Sequence, residues 1–452
     1  MTAQQFLLKS ALACALGSAA AGAWAQAPVM DLKQVYQAAL EQDATIRASR
    51  AAADSGRERL PQARAGLLPQ FSASAGRNNN NLDTTSPNIL GTPVTTNDQY
   101  ASDNRTLQLR QPLVNMQRWL QFQQAKSVVE EVEANLDRDL QNLVVRVASA
   151  YFEALMADEQ LDLVLAQKKT YTALVDAAKK GLAAGSGTRT DIDDAQSRLD
   201  MAKAQELEAR QNQDLARRQL QLLVNQPVGQ IAKLNVAALQ LSAPMPANLD
   251  DWTRKAEQAS PEIRGMQARL DASRREVSKA QAGHLPTVDA VAQWSNSGSE
   301  NITRVNSRFE NKTIGLQLNI PLYSGGYVNS TIRQALAEQT RVEESLEALR
   351  RDLGVRVHKE YRGVSEGVMR VKALEQAARS AEQMMKSTQM SLSAGSRTQL
   401  DVLNAQQQFT LALRDLAQAR LVYLLSRVRL ASLVGDDAMV SVEQVNGSLR
   451  VR

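Results

Sequence analysis

Two short spacings hold the residues best suited to chemistry, Thr188-x-x-Asp191 and Thr398-x-x-Asp401. A hydroxyl followed three positions later by a carboxylate is the pattern of a helix start. The hydroxyl accepts from a backbone N–H that has no helical partner, and the acid sits at the positive end of the helix dipole. A Gly-Ser step precedes each pair, Gly185-Ser186 in one and Gly395-Ser396 in the other. Glycine closing one helix before a cap opens the next makes the tip of a helical hairpin. Catalytic chemistry finds no such support. His284 and His358 are the only histidines, and neither has the spacing of a triad or a metal site. No phosphate-binding loop or dinucleotide glycine pattern is present. The chain reads as a protein without catalytic residues, cofactor or metal.

The elements that position these tips repeat. Gly185 matches Gly395, Thr188 matches Thr398 and Asp191 matches Asp401, each 210 residues apart. Leu32–Ile46 matches Leu249–Ile263 at an offset of 217, as does Pro69 with Pro286. Leu109–Leu113 matches Leu318–Leu322 at 209, and Val145–Tyr151 matches Val355–Tyr361 at 210. The division expected is a leader over 1–25, a first repeat over 26–224, a linker over 225–248, a second repeat over 249–434 and a C-terminal segment over 435–452. Linker and C-terminal segment are expected to form a small side element.

Within each repeat the period of the pattern changes. Helical spacing over 31–64, with Pro61 kinking or ending that helix near its last turn, gives way to alternation over 67–77 and 105–111. The second copy is cleaner: Ile314, Leu316, Leu318 and Ile320 alternate with polar residues, and Val288, Ala290, Ala292 and Trp294 form the partner strand. Polar stretches over 78–104 and 295–310 read as exposed hairpin loops. Long helices follow, from about Leu113 to Ala183 and over 327–393. The shorter runs 31–64 and 188–223, and 249–282 and 398–433, lie end to end beside them along a heptad-like seam.

Composition agrees. The 452 residues are 43% hydrophobic but only 4% aromatic, which suits thin coiled-coil layers better than one globular core. Residues 1–25 read as a secretory signal, with Lys9, an apolar stretch and Ala23-Trp24-Ala25 as the cleavage site. Cys14, the only cysteine, leaves with it, and Ala11 argues against lipidation there. The net charge of +5 is spread among acids along the helices, which points to solvated faces and away from nucleic acid. Beyond the leader no apolar run is long enough for a membrane helix. Four strands, each of about nine to eleven residues, are long enough to cross a bilayer when tilted but too few to close a barrel. Three copies supply twelve. The expected fold is mixed: long α-helical coiled-coil hairpins, with four β-strands per chain contributing to a trimeric twelve-stranded barrel that continues as a helical tube. The competing reading is a non-transporting coiled-coil scaffold with incidental β-hairpins.

Four segments carry a family resemblance: Gln281–Asp289, Ile320–Ser330, Ala394–Leu403 and Gln111–Trp119. Through them the sequence resembles the TolC-like outer-membrane channel proteins over essentially the whole mature chain. The resemblance implies an outer-membrane barrel in contact with lipid and an α-helical tunnel across the periplasm of a Gram-negative bacterium. It also implies an equatorial element from linker and C-terminal residues. The partners implied are a periplasmic adaptor (membrane fusion) protein and an inner-membrane pump, either ABC-type or proton-driven. The implied function is the exit duct of a tripartite efflux pump or a type I secretion system. Carried onto matching positions, Arg397 faces Thr190 and Asp191, Asp401 rings the periplasmic aperture, and Gly185, Ser186, Gly395 and Ser396 form the adaptor-docking tips. Leu392 replaces a gating tyrosine and Asn404 a second ring aspartate, which implies a looser gate and weaker cation preference.

Overall fold

A computed structural model of the chain describes residues 29–299 and 307–450. The leader with Cys14 lies outside the described residues. Ten α-helices are described: α1 (Leu32–Gln42), α2 (Ala44–Arg57), α3 (Arg59–Ala65), α4 (Met116–Ala183), α5 (Arg189–Val224), α6 (Leu249–Ala259), α7 (Pro261–Gln281), α8 (Tyr327–Ser393), α9 (Gln399–Leu433) and α10 (Ala438–Asn446). The strands are β1 (Gln70–Pro87), β2 (Pro93–Val114), β3 (Lys233–Leu234), β4 (Thr287–Ser299), β5 (Ser307–Asn319) and β6 (Leu449–Arg450). Packing groups them into two compact units. Of the described residues, one takes those up to Ser49, Arg138–Ser260 and those from Asp352 onward, the other Arg50–Asp137 and those between Pro261 and Arg351. Each unit draws on both repeats, because the long helices α4 and α8 contribute to both.

The longest helices owe their length to sequence without proline. α4 has 68 residues and α8 has 67, about 100 Å each at 1.5 Å per residue. Along α8, Val328, Ala335 and Val342 are buried at seven-residue spacing, and so are Val357, Val364, Val371 and Ala378. That is a coiled-coil seam. The run over 31–64 is not one helix but three. Pro61 removes an N–H that would bond to Arg57, and the chain breaks at Glu58 just before it. An earlier break at Asp43 recurs 217 residues later at Ser260. The two residues share an extended backbone, φ −62° and ψ 120° at Asp43 and φ −62° and ψ 124° at Ser260. Asp43 caps the next helix by accepting from Ile46 N at 3.0 Å, and Arg146 pairs with it at 3.2 Å. Ser260 instead precedes Pro261, which disfavours helix in the residue before it.

In the first unit the linker is fastened to the helices by tyrosines at repeat-equivalent positions. Tyr151 is fully buried and donates to the carbonyl of Ala232 at 3.0 Å. Its counterpart Tyr361 donates to the carbonyl of Ala247. Between them Tyr423, also fully buried, donates to Ser242 O at 2.9 Å and accepts from Ser242 N at 3.0 Å. Gly367 lets Tyr423 in: a Cβ there would lie 3.2 Å from its ring. β3 pairs antiparallel with β6, so linker and C-terminal segment form one small sheet.

The second unit carries a four-stranded antiparallel sheet in the order β1-β2-β4-β5. Register gives each face a character. The row Phe71, Leu109, Ala292, Ile314 lies beside the rows Ala73, Leu107, Trp294, Lys312 and Gln111, Ala290, Leu316 on one face. The other face carries Ser72, Gln108, Gln293, Thr313 and then Ser74, Thr106, Ser295, Asn311. The apolar face is open: Phe71 is 70% exposed and Ile314 89%. The strands are longer than nine to eleven residues. β1 has 18 residues and β2 has 22, so 78–104 is mostly paired strand. Only Asn88–Thr92 turns, with Asn88 Oδ1 accepting from Leu90 N at 3.0 Å and Thr92 N at 3.1 Å.

Candidate functional site

The two hairpin tips are built alike. Gly185 and Gly395 both take φ +75°, a left-handed conformation that favours glycine. Gly185 N bonds to Leu182 O and Ser186 N to Gly181 O, each at 3.0 Å. In the second tip Gly395 N bonds to Leu392 O at 3.0 Å and Ser396 N to Ser391 O at 2.9 Å. This paired pattern satisfies the last helical carbonyls. The next helix opens with reciprocal caps. Thr188 N donates to Asp191 Oδ2 at 2.8 Å while Asp191 N donates to Thr188 Oγ1 at 3.2 Å. Thr398 and Asp401 do the same at 3.0 and 3.2 Å.

The cap sets the charge of Asp401. The Thr398 backbone N–H, and then its hydroxyl, hold this carboxyl below the ordinary aspartate value, with Arg397 adding to the effect. Oδ2 is taken by the cap; Oδ1 stays available and meets Arg397 Nη1 at 3.8 Å. Within one chain Arg397, in the turn before α9, thus lies by Asp401 of the same tip rather than by Thr190 or Asp191. Thr190 is exposed at the start of α5.

Asn404, one turn beyond Asp401, is drawn into a bond that the sequence did not suggest. Arg198 of α5 spreads its guanidinium across two α9 side chains, with Nη2 to Asn404 Oδ1 at 2.8 Å and Nη1 to Gln407 Oε1 at 2.7 Å. Beneath this fork Tyr171, Leu174 and Val175 of α4 pack with Ala195, Leu199 and Ala202 of α5 and with Val402 and Leu403 of α9. Leu392 packs against that cluster. The two hairpins of a chain are therefore joined near their tips by apolar contact and one arginine fork. Asn404 can accept from Arg198, and it brings no charge.

The histidines are apart from this. His284 Nε2 lies 3.2 Å from Asn329 Oδ1, and His358 is exposed on α8. Among the described residues no group of acids and histidines has metal-binding geometry, and no helix is long and apolar enough to cross a membrane.

Comparison with known proteins follows the duplication. The sequence profile described as outer membrane efflux protein matches residues 35–226 and again 252–436. The alkaline protease secretion protein AprF of Pseudomonas aeruginosa is 32% identical over 426 residues, covering 92% of this chain and 88% of the relative. The proteases secretion protein PrtF of Dickeya chrysanthemi is 31% identical over 417 residues, 90% of this chain and 89% of the relative. Among solved structures, CusC superposes with a TM-score of 0.77 at 17% identity, covering 92% of this chain and 95% of that one. That last likeness is one of fold.

Proposed function

The chain belongs to the outer membrane efflux protein family, and from that premise we propose that it is the outer-membrane exit duct through which a polypeptide leaves the cell. The sheet carries the reading of a duct. Its open apolar face suits hydrocarbon and its polar face suits a water-filled lumen. In one chain the outer strands β1 and β5 each leave one edge without a partner strand among the described residues, and a lipid-facing sheet does not keep open edges. Three copies close a twelve-stranded barrel, and the helices continue it as a periplasmic tunnel. A soluble scaffold has no use for such a sheet.

The relatives AprF and PrtF, each matched over about nine-tenths of this chain, are named for secretion of proteases. That favours a polypeptide cargo, delivered by an inner-membrane ABC pump and a periplasmic adaptor that engages Gly185, Ser186, Gly395 and Ser396. In the assembled aperture three Asp401 carboxylates favour cations over anions. Arg397 of one copy faces Thr190 and Asp191 of the next, and Arg198 holds the two hairpins of each chain together.

Comparing culture supernatants of a strain lacking this chain with its complemented parent tests the reading. Loss of one or a few secreted polypeptides, restored by complementation, is expected. An unchanged secretome with sharply raised sensitivity to small toxic compounds would contradict a polypeptide cargo.

A further inference from the structure

The apolar face of the sheet ends in three arginines that stand in no ion pair among the described residues. The band runs on β4 from Val288 to Trp294, roughly 20 Å at about 3.3 Å per residue. Trp294 closes it, and its indole N–H donates to Glu310 Oε1 at 3.0 Å. An indole with one apolar side and one polar bond is suited to the membrane interface. This end of the strands is the hairpin end, away from their connections to helices.

On the same face, in the next two rows, come Ala75, Arg105, Asn296 and Glu310, the last paired with Lys312, and then Arg77 and Arg308 in one row with Asp103 and Gly298 between them. The three arginines line a cavity of about 740 Å³ together with Asp103 and Gly298. Gly298 opens its floor, since a Cβ there would come within 2.5 Å of Asp103 Oδ1. Among the described residues the sheet's ion pairs are Arg110 with Asp289 and Lys312 with Glu310. None of the three arginines is in one. Asp103 lowers the local charge, but among the described lining residues three guanidiniums stand against one carboxylate, which is a cationic balance.

We propose that Arg77, Arg105 and Arg308 hold the phosphate of an outer-leaflet glycolipid headgroup. Guanidinium matches phosphate by paired, charge-assisted hydrogen bonds. A lipid fits better than a free anion, because acyl chains hanging from this depth lie along Phe71, Leu109 and Ile314. The inference rests on the sheet being part of the barrel.

Native mass spectrometry of the mature protein in detergent tests it, with bisphosphorylated lipid A, its dephosphorylated form and inorganic phosphate as probes. The wild type is expected to retain the bisphosphorylated lipid about tenfold or more over the dephosphorylated form. The R77Q/R105Q/R308Q variant should lose that preference, and R77K/R105K/R308K should keep part of it. Equal retention by wild type and the glutamine variant, or equal retention of both lipids, would overturn the proposal. Equal occupancy by inorganic phosphate alone would overturn the lipid assignment. Oligomer mass and conductance of the same samples report on the barrel itself, so its failure is distinguishable from failure of the site.

Discussion

Asp401 divides its two oxygens: Oδ2 closes the helix cap, while Oδ1 lies 3.8 Å from Arg397 and is the atom the proposed aperture ring would turn to the pore. Asp401→Ala is therefore expected to lower cation preference in planar bilayers while changing conductance little; unchanged ion preference would contradict the ring. Arg198→Ala should act in the opposite sense, raising open probability several-fold with cation preference retained, because it releases Asn404 and Gln407 without touching the ring. Asp43 supplies a pH-dependent prediction. Burial raises its carboxyl, but the Ile46 N–H and the Arg146 guanidinium outweigh burial and hold it below the ordinary 3.8. Stabilisation by such a group is complete above the unfolded value and lost as pH falls through the lower folded one. Asp43→Asn should cost about 1–3 kcal/mol at neutral pH, and the difference should shrink below about pH 4, as read by thermal unfolding of the protein in detergent.

At the scale of elements, the linker depends on hydroxyls that arrive from three long helices. Tyr423→Phe keeps the packing against Gly367 but leaves the Ser242 N–H and C=O without that partner, at an expected cost of about 1–2 kcal/mol. Faster hydrogen exchange confined to 240–242 and its neighbours would show it; exchange unchanged there would contradict the pinning role. Elements and tips were legible to different depths. Gly185, Thr188 and their copies announce the hairpins, because positive φ and capping impose narrow residue choices. The polar strand beyond Gly76 was not legible. Asn78–Asn81 has low strand propensity and no alternation, and only the partner strand across the ladder holds it extended. The break at Asp43 hid inside an unbroken helical pattern. Arg198 gave no signal because its partners lie 206 and 209 residues away, and an arginine on a helix face is otherwise ordinary.

The whole molecule follows from two deficits that one chain cannot repair alone. Among the described residues its sheet ends in two open strand edges, and its apolar face has nothing to cover it. Closure with copies of itself meets the first, and the outer membrane meets the second. Duplication makes this economical, since each repeat contributes one strand pair and one tip hairpin. Three chains then supply a barrel of twelve strands and six tips. The most direct test is single-channel conductance of the detergent-purified mature protein in planar bilayers, with oligomer mass measured on the same sample. The account predicts a trimer giving small, cation-preferring openings that Arg198→Ala makes more frequent. A monomer soluble without detergent that never conducts would contradict it.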